Sequence, residues 1–241
     1  MKKSLIISSI FPAELFEFPV NAAVLIAATL GLWVLYREKP ECRLAKWLMS
    51  GKTSIILIVA LLICALIYGF APQIDVVHSW PFIFIMMALL ANLLMVIFSR
   101  RAKPRFLLNH IGVFLALAGG FFGAPDMQVN QVQVFRDVSA DMSLQDFKIE
   151  TAPDGSVQNY TATVLINGKV TDIMVNHPYH KSLFEDVYLL SYDNSCPEVR
   201  YITLETVRQP WKYVMWLGIV MMMLGCILMF AQGVNKKEEH V

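Results

Sequence analysis

Five long apolar runs, the first four separated by short polar loops of which two are strongly basic, limit this chain to a membrane architecture. The runs are Pro19–Tyr36, Thr53–Phe70, Pro81–Phe98, Phe106–Gly123 and Trp211–Gln232. Each approaches the roughly 20 residues that a helix needs to cross a hydrocarbon layer of about 30 Å. The only charged side chain within them is Lys212, at the edge of the last run, where its stem reaches the interface. Hydrophobic residues make up 56% of the chain and charged residues 16%, a balance that excludes an ordinary soluble domain.

The distribution of charge sets an orientation where the total of +1 does not. Arg37, Lys39, Arg43, Lys46 and Lys52 occupy one loop, and Arg100, Arg101, Lys103 and Arg105 another, whereas 71–80 has no basic residue. The basic loops are therefore expected in the cytoplasm and the 71–80 loop outside. Phe106–Gly123 then runs outward, the segment after it lies outside, and Trp211–Gln232 returns to a tail with Lys236 and Lys237. The N-terminus falls outside despite Lys2 and Lys3. Glu14 and Glu17 break the apolar stretch that follows them, and no small-residue cleavage pattern precedes Pro19. An uncleaved interfacial segment at Leu5–Phe18 is expected; a signal peptide, or a first run that stops short of spanning, are the alternatives.

The expected fold is an integral membrane α-helical bundle of five spans, or four if the first fails to cross, with a small extracytoplasmic all-β domain before the last span. Its segments are an N-terminal interfacial segment (1–18), a four-helix membrane region (19–123), the β-rich domain (124–209), the last helix (210–232) and a cytoplasmic tail (233–241).

In the external domain helical periodicity disappears. Gln131–Phe135 alternates polar and apolar residues, Thr161–Ile166 is β-branched and alternating, and Asn167-Gly168 is a strong hairpin signal before Val170–Val175. Tyr188–Tyr192 and Tyr201–Val207 supply further strands, with Asp193-Asn194-Ser195 as turn material. Five to seven strands are expected. Ser143-Leu144-Gln145-Asp146 reads as the opening of a short helix or as a loop, and Asn176-His177-Pro178 as an edge or bend. A sheet of this size has a thin core and is expected to lean on the membrane surface or another protein.

Several strings, in order, resemble the ResB family of cytochrome c biogenesis proteins. They are Lys46–Ser50 leading to Gly69–Gln73, His78–Phe82 leading to Phe98–Arg101, Arg105–Gly112 continuing to Gly119-Gly120, Val175–Pro178 before Val187–Leu189, and Gln209–Tyr213 with Leu217-Gly218 and Leu224-Gly225. Together they cover residues 46–232. The chain departs from the family pattern in its additional span, Pro19–Tyr36, and its short external domain. The tryptophan-rich haem-handling segment of the partner family, CcsA, is absent from the sequence.

The resemblance implies one half of a two-protein machine in the bacterial inner membrane, residues 124–209 on the periplasmic or outer face. Its partners would be a CcsA-like multi-span protein, apocytochrome c and membrane lipid. Haem b would be handled and delivered as substrate or transient ligand, with the membrane histidine matching His110. Any haem-lyase activity would belong to the complex.

His110 also stands out on physical grounds, because it is the only histidine in an apolar run. One ring nitrogen can meet iron while the other meets an acceptor, and the opposite axial ligand would come from another chain or the iron would stay five-coordinate. Its alternative is an interhelical hydrogen bond. Asn109 points about 100° away round the helix and is expected to bridge to another helix; Asn92, in the middle of Pro81–Phe98, is expected to be the other buried amide, packing helices by meeting Asn109 or a partner helix. Gly112, Gly119, Gly120 and Gly123 allow either close helix packing or a groove for a flat porphyrin. The candidate cofactor-binding residues are thus His110, Asn109, Gly112 and Gly119, with His110 as metal ligand and no catalytic residue.

Other groups read more plainly. The basic loop at 100–105 suits topology and anionic lipid before haem propionates, and His78 suits a solvated loop. His177 and His180 lack a neighbouring cysteine or carboxylate motif for a metal site. Without Cys-x-x-Cys, neither thiol exchange within the chain nor covalent haem attachment to it has its residues, and Cys196 is alone in the external domain. Phosphate-loop and nucleic-acid signatures are absent from the sequence. The competing function is a non-catalytic membrane assembly or anchoring subunit whose external domain docks an apocytochrome or membrane enzyme. A solute transporter is disfavoured, because no inverted repeat or intramembrane carboxylate is evident.

Overall fold

The computed structural model describes residues 17–99, 104–136, 142–194 and 198–231. Residues 5–16 of the expected interfacial segment, Lys2, Lys3, Arg100, Arg101, Lys103, Ser195, Cys196 and the tail at 233–241 lie outside the described residues.

The chain divides into two units, Met1–Asp126 with Trp211–Val241, and Met127–Pro210. The first contains α1 (Val20–Glu38), α2 (Arg43–Leu48), α3 (Gly51–Phe70), α4 (Trp80–Ser99), α5 (Pro104–Asp126) and α6 (Lys212–Ala231). All but α2 are long and apolar enough to cross a membrane, so the chain is an integral membrane protein with five candidate spans. Most of their apolar surface faces outward, as with Ile55, Ile56, Trp216 and Phe230, because lipid or another helix is the solvent for these faces.

α4 is the most buried span, and α1, α2, α3 and α5 all pack on it. At one end Ala45, Leu48 and Met95 are buried against Leu35, Tyr36 and Phe98, joining α2 to the ends of α1 and α4. The sequence places 37–52 in a loop; α2 forms within it because Cys42 Sγ accepts from Ala45 N at 3.3 Å and Asn92 holds its last residue. Asn92, fully buried on α4, donates Nδ2 to Leu48 O at 2.6 Å and accepts from the Ser54 hydroxyl at 2.7 Å.

α5 and α6 form a close hairpin because glycines let their backbones touch. A β-carbon at Gly112 would lie 2.7 Å from Gly218 O; one at Gly218 would lie 2.5 Å from Ala116 N. Further along, Gly119 meets Met215 and Gly123 meets Trp211. Such contact gives backbone dispersion and dipole interactions that a side chain would prevent.

The second unit is antiparallel throughout. β1 (Gln128–Phe135), β7 (Tyr201–Arg208), β6 (Glu185–Tyr192) and β5 (Tyr179–His180) form a sheet in that spatial order. β2 (Met142–Thr151), β3 (Val157–Ile166) and β4 (Lys169–Met174) form the other. Alternate residues from both, including Val134, Leu144, Val164, Ile173, Val187, Ile202 and Leu204, fill one core. Asn167 and Gly168 both take positive φ (49° and 79°) in the β3–β4 turn, as an Asn-Gly hairpin requires.

Ser143–Asp146 is not a helix or loop but part of β2. Leu144 is buried in the core, and the strand accommodates a bulge between Leu144 and Asp146. In the turn after β2, the Asp154 carboxyl is held below the usual carboxylate range, first by the Ser156 hydroxyl and then by its N–H.

Candidate functional site

At the seventh residue of α5, one carbonyl determines the state of the His110 ring. Its Nδ1 lies 3.0 Å from Phe106 O, and the ring stacks on Phe106 with centroids 3.7 Å apart and planes at 22°. A carbonyl oxygen only accepts, so Nδ1 carries the proton and, in the neutral ring, Nε2 carries the lone pair. The side chain is half-buried. At about 100° per residue it stands roughly 160° round α5 from Gly112, away from α6.

This arrangement fits one axial position on a porphyrin iron: a single imidazole, a fixed tautomer and an outer acceptor that orients the ring. Among the described residues no group of three or more His, Cys, Asp or Glu is placed to hold a metal ion, so a bare cation lacks its ligand set.

The other sequence candidates lie on a different face. The Asn109 carboxamide packs over Gly225 of α6, with Cys226 Sγ donating toward its Oδ1 at 3.9 Å. Gly112 and Gly119 face α6, so the space left by their missing side chains is filled by Gly218, Met222 and Met215. His110 is therefore not grouped with Asn109, Gly112 and Gly119. Asn92 meets Ser54 and Leu48 rather than Asn109. Of the first basic residues of α5, Arg105 is described and half-buried.

Sequence reasoning missed a polar cluster at the opposite end of α5. The helix runs on to Asp126 rather than ending at Gly123, with Pro125 in its last turn. Asp126 is buried and accepts from Phe18 N at 2.8 Å, Asn21 Nδ2 at 2.6 Å and Trp211 Nε1 at 2.8 Å. Trp211 stacks on Phe122 at 5.6 Å and meets Phe18 edge-on at 6.4 Å. Three donors offset the cost of burying the carboxylate and bring the first turns of α1 and α6 to the last turn of α5. The available signal was three polar or interfacial residues, Asn21, Asp126 and Trp211, each at the rim of an apolar run.

Two further imidazoles have carboxylate partners. His78 Nδ1 lies 2.7 Å from Asp75 Oδ1, and His180 Nδ1 lies 2.6 Å from Asp186 Oδ1. Neither carboxylate was paired with its histidine in the sequence reading; Asp186 stands across the β5–β6 ladder from His180.

The chain matches no protein-family model, and no curated protein matches it. Among solved structures it is similar to a protein titled "Cytochrome c Heme Lyase CcmF", with a TM-score of 0.41 and 14% identity over 92% of this chain and 41% of that one. The chain thus spans about two fifths of that structure's length. No functional weight attaches to a likeness of that size. The fold defines a membrane protein with five candidate spans and an antiparallel β domain inserted before the last.

Proposed function

We propose that this chain handles haem in c-type cytochrome biogenesis, as the ResB-like partner of a CcsA-like subunit in the bacterial inner membrane. The observation that carries the reading is His110: an imidazole in an apolar span, with Nδ1 bonded to Phe106 O and Nε2 available on the side away from α6. An apolar side chain would fill that position at less cost. The strings that resemble the ResB family flank this same residue, from Arg105 to Gly120.

In this reading haem b is substrate, and its iron supplies the affinity for imidazole. The chain's part is to position. Phe106 O sets the tautomer, the Phe106 ring limits rotation of the imidazole, and the α5–α6 seam keeps the helix from shifting. His110 would hold the iron from one side, and a second ligand, where the iron takes one, would come from the CcsA-like partner. The basic loops lie in the cytoplasm and the β domain on the periplasmic face, where apocytochrome c docks. Thioether formation then depends chiefly on alignment of haem and apocytochrome, which belongs to the assembled pair.

The test is coexpression with the CcsA-like neighbour and copurification of the complex. His110→Ala should lower its haem content or change its absorption spectrum. Full haem content with an unchanged spectrum would overturn the ligand role and leave the assembly or anchoring function.

A further inference from the structure

Sheet register brings three strand ends together where the β domain joins its spans. Gln128 opens β1 opposite Arg208 at the close of β7, and Glu185 opens β6 opposite the same Arg208. The β5–β6 turn, 181–184, therefore lies at the end of the sheet from which both connections to the membrane helices leave. Met127 directly follows Asp126, the last residue of α5. Gln209 stands three residues before Lys212, the first of α6, a reach of at most about 11 Å.

Apolar side chains are exposed at this end, and Gln209 ties them into one patch. Its N–H donates to Phe184 O at 2.7 Å, and its Nε2 donates to Met127 Sδ at 3.2 Å. Met127 is 48% exposed, Leu183 64%, and Phe184 is half-buried. The turn carries no net charge. Lys181 and Glu185 at its neck pair with each other at 3.6 Å, and Ser182, Leu183 and Phe184 between them are uncharged. Beside them the half-buried Arg208 has a long apolar stem and a charged head, a shape suited to the level of lipid headgroups.

We infer that Met127, Leu183 and Phe184 form a lipid-contacting patch that seats this end of the β domain in the interfacial layer of the bilayer crossed by α5 and α6. Continuity with the spans selects the occupant. The bilayer surface lies where the apolar helices end, at Asp126 and Trp211, and the patch is tethered to both by only a few residues. Apolar side chains held at that level meet the boundary between headgroups and acyl chains, where leucine and phenylalanine are favoured and exposed apolar surface no longer faces bulk water. The inference stands apart from the haem-handling reading and holds for either orientation of the chain in the membrane.

The test places the full-length chain, with no other protein, in vesicles of phosphatidylethanolamine and phosphatidylglycerol. A nitroxide is attached in turn at Leu183→Cys, Met127→Cys and Asn194→Cys in a background lacking native thiols. Asn194 is the control: it is exposed just beyond β6, whose eight residues span about 26 Å from the patch end. Power-saturation electron paramagnetic resonance compares dissolved oxygen, which concentrates in lipid, with a water-soluble nickel chelate. The ratio of oxygen to nickel access should be several-fold higher at 183 and 127 than at 194, and circular dichroism checks that the sheet remains folded in each variant.

Nickel access at either 183 or 127 as high as at 194 would overturn the inference, because the patch would then stand in water. Low access to both agents would overturn it as well, since protein, such as a second copy of this chain, would then cover the patch in place of lipid.

Discussion

Trp211 donates its indole N–H to Asp126 Oδ2 at 2.8 Å, joining the two residues that bracket the inserted β domain in sequence. The same carboxylate accepts from Phe18 N and Asn21 Nδ2, so one side chain ties α1, α5 and α6 together at a single end of the bundle. Asp126→Ala should therefore destabilise the protein by about 3 kcal/mol, since it strands the buried donors of Asn21 and Trp211. Asp126→Asn, which keeps an acceptor, should cost less. Thermal unfolding in detergent, followed by intrinsic fluorescence of Trp211 and its neighbours, measures the order of the two.

Asn92 makes the equivalent connection at the other end, between the last carbonyl of α2 and the Ser54 hydroxyl of α3. Asn92→Leu should remove the donor to Leu48 O and leave the Ser54 hydroxyl with only its longer bond to Ser50 O (3.4 Å), at a cost of about 1–3 kcal/mol. The effect should be local, with α2 released first. Hydrogen exchange across 43–48 would show faster opening there and little change in α5 and α6.

The glycine seam predicts a contrast between neighbours. A β-carbon at Gly218 meets backbone atoms, Ala116 N at 2.5 Å and Gly112 O at 2.7 Å, which cannot rotate away. Gly218→Ala should push α6 off α5 and cost about 1–3 kcal/mol. Gly120 has nothing within 4 Å, so Gly120→Ala should be neutral or stabilising by up to about 1 kcal/mol through helix propensity. Melting temperatures of the two variants moving together would contradict the seam.

The spans were legible because length and apolarity suffice to define them, and Asn167-Gly168 identified its hairpin through the positive φ that both residues adopt. What could not be read depended on partners distant in sequence. Asp126 looked like one more acid of the external domain, because Asn21 and Trp211 lie 105 and 85 residues away. Ser143–Asp146 carried a helix-opening pattern, but burial of Leu144 and pairing with β3 outweighed it. α2 is too short to show periodicity and depends on Asn92 for its end. His110 was legible as a polar residue in an apolar run; its bonded nitrogen and its separation from the glycine face were not.

The membrane orientation expected from the basic loops can be read from single cysteines in a background lacking native thiols. Arg43→Cys should react with a permeant maleimide and not with an impermeant one, whereas Lys169→Cys should react with both. Protection of Lys169→Cys from the impermeant reagent would reverse the orientation and remove the β domain from the face where apocytochrome is expected.

Restoration of haem ligation by free imidazole tests the central assignment most directly. In the proposed complex, His110→Ala should vacate one ligand position on the iron without any change in the α5–α6 seam, because His110 stands away from it. Added imidazole should bind there saturably and return the absorption spectrum toward that of the unaltered complex. A His110→Ala complex with full haem, an unaltered spectrum and no response to imidazole would contradict the account.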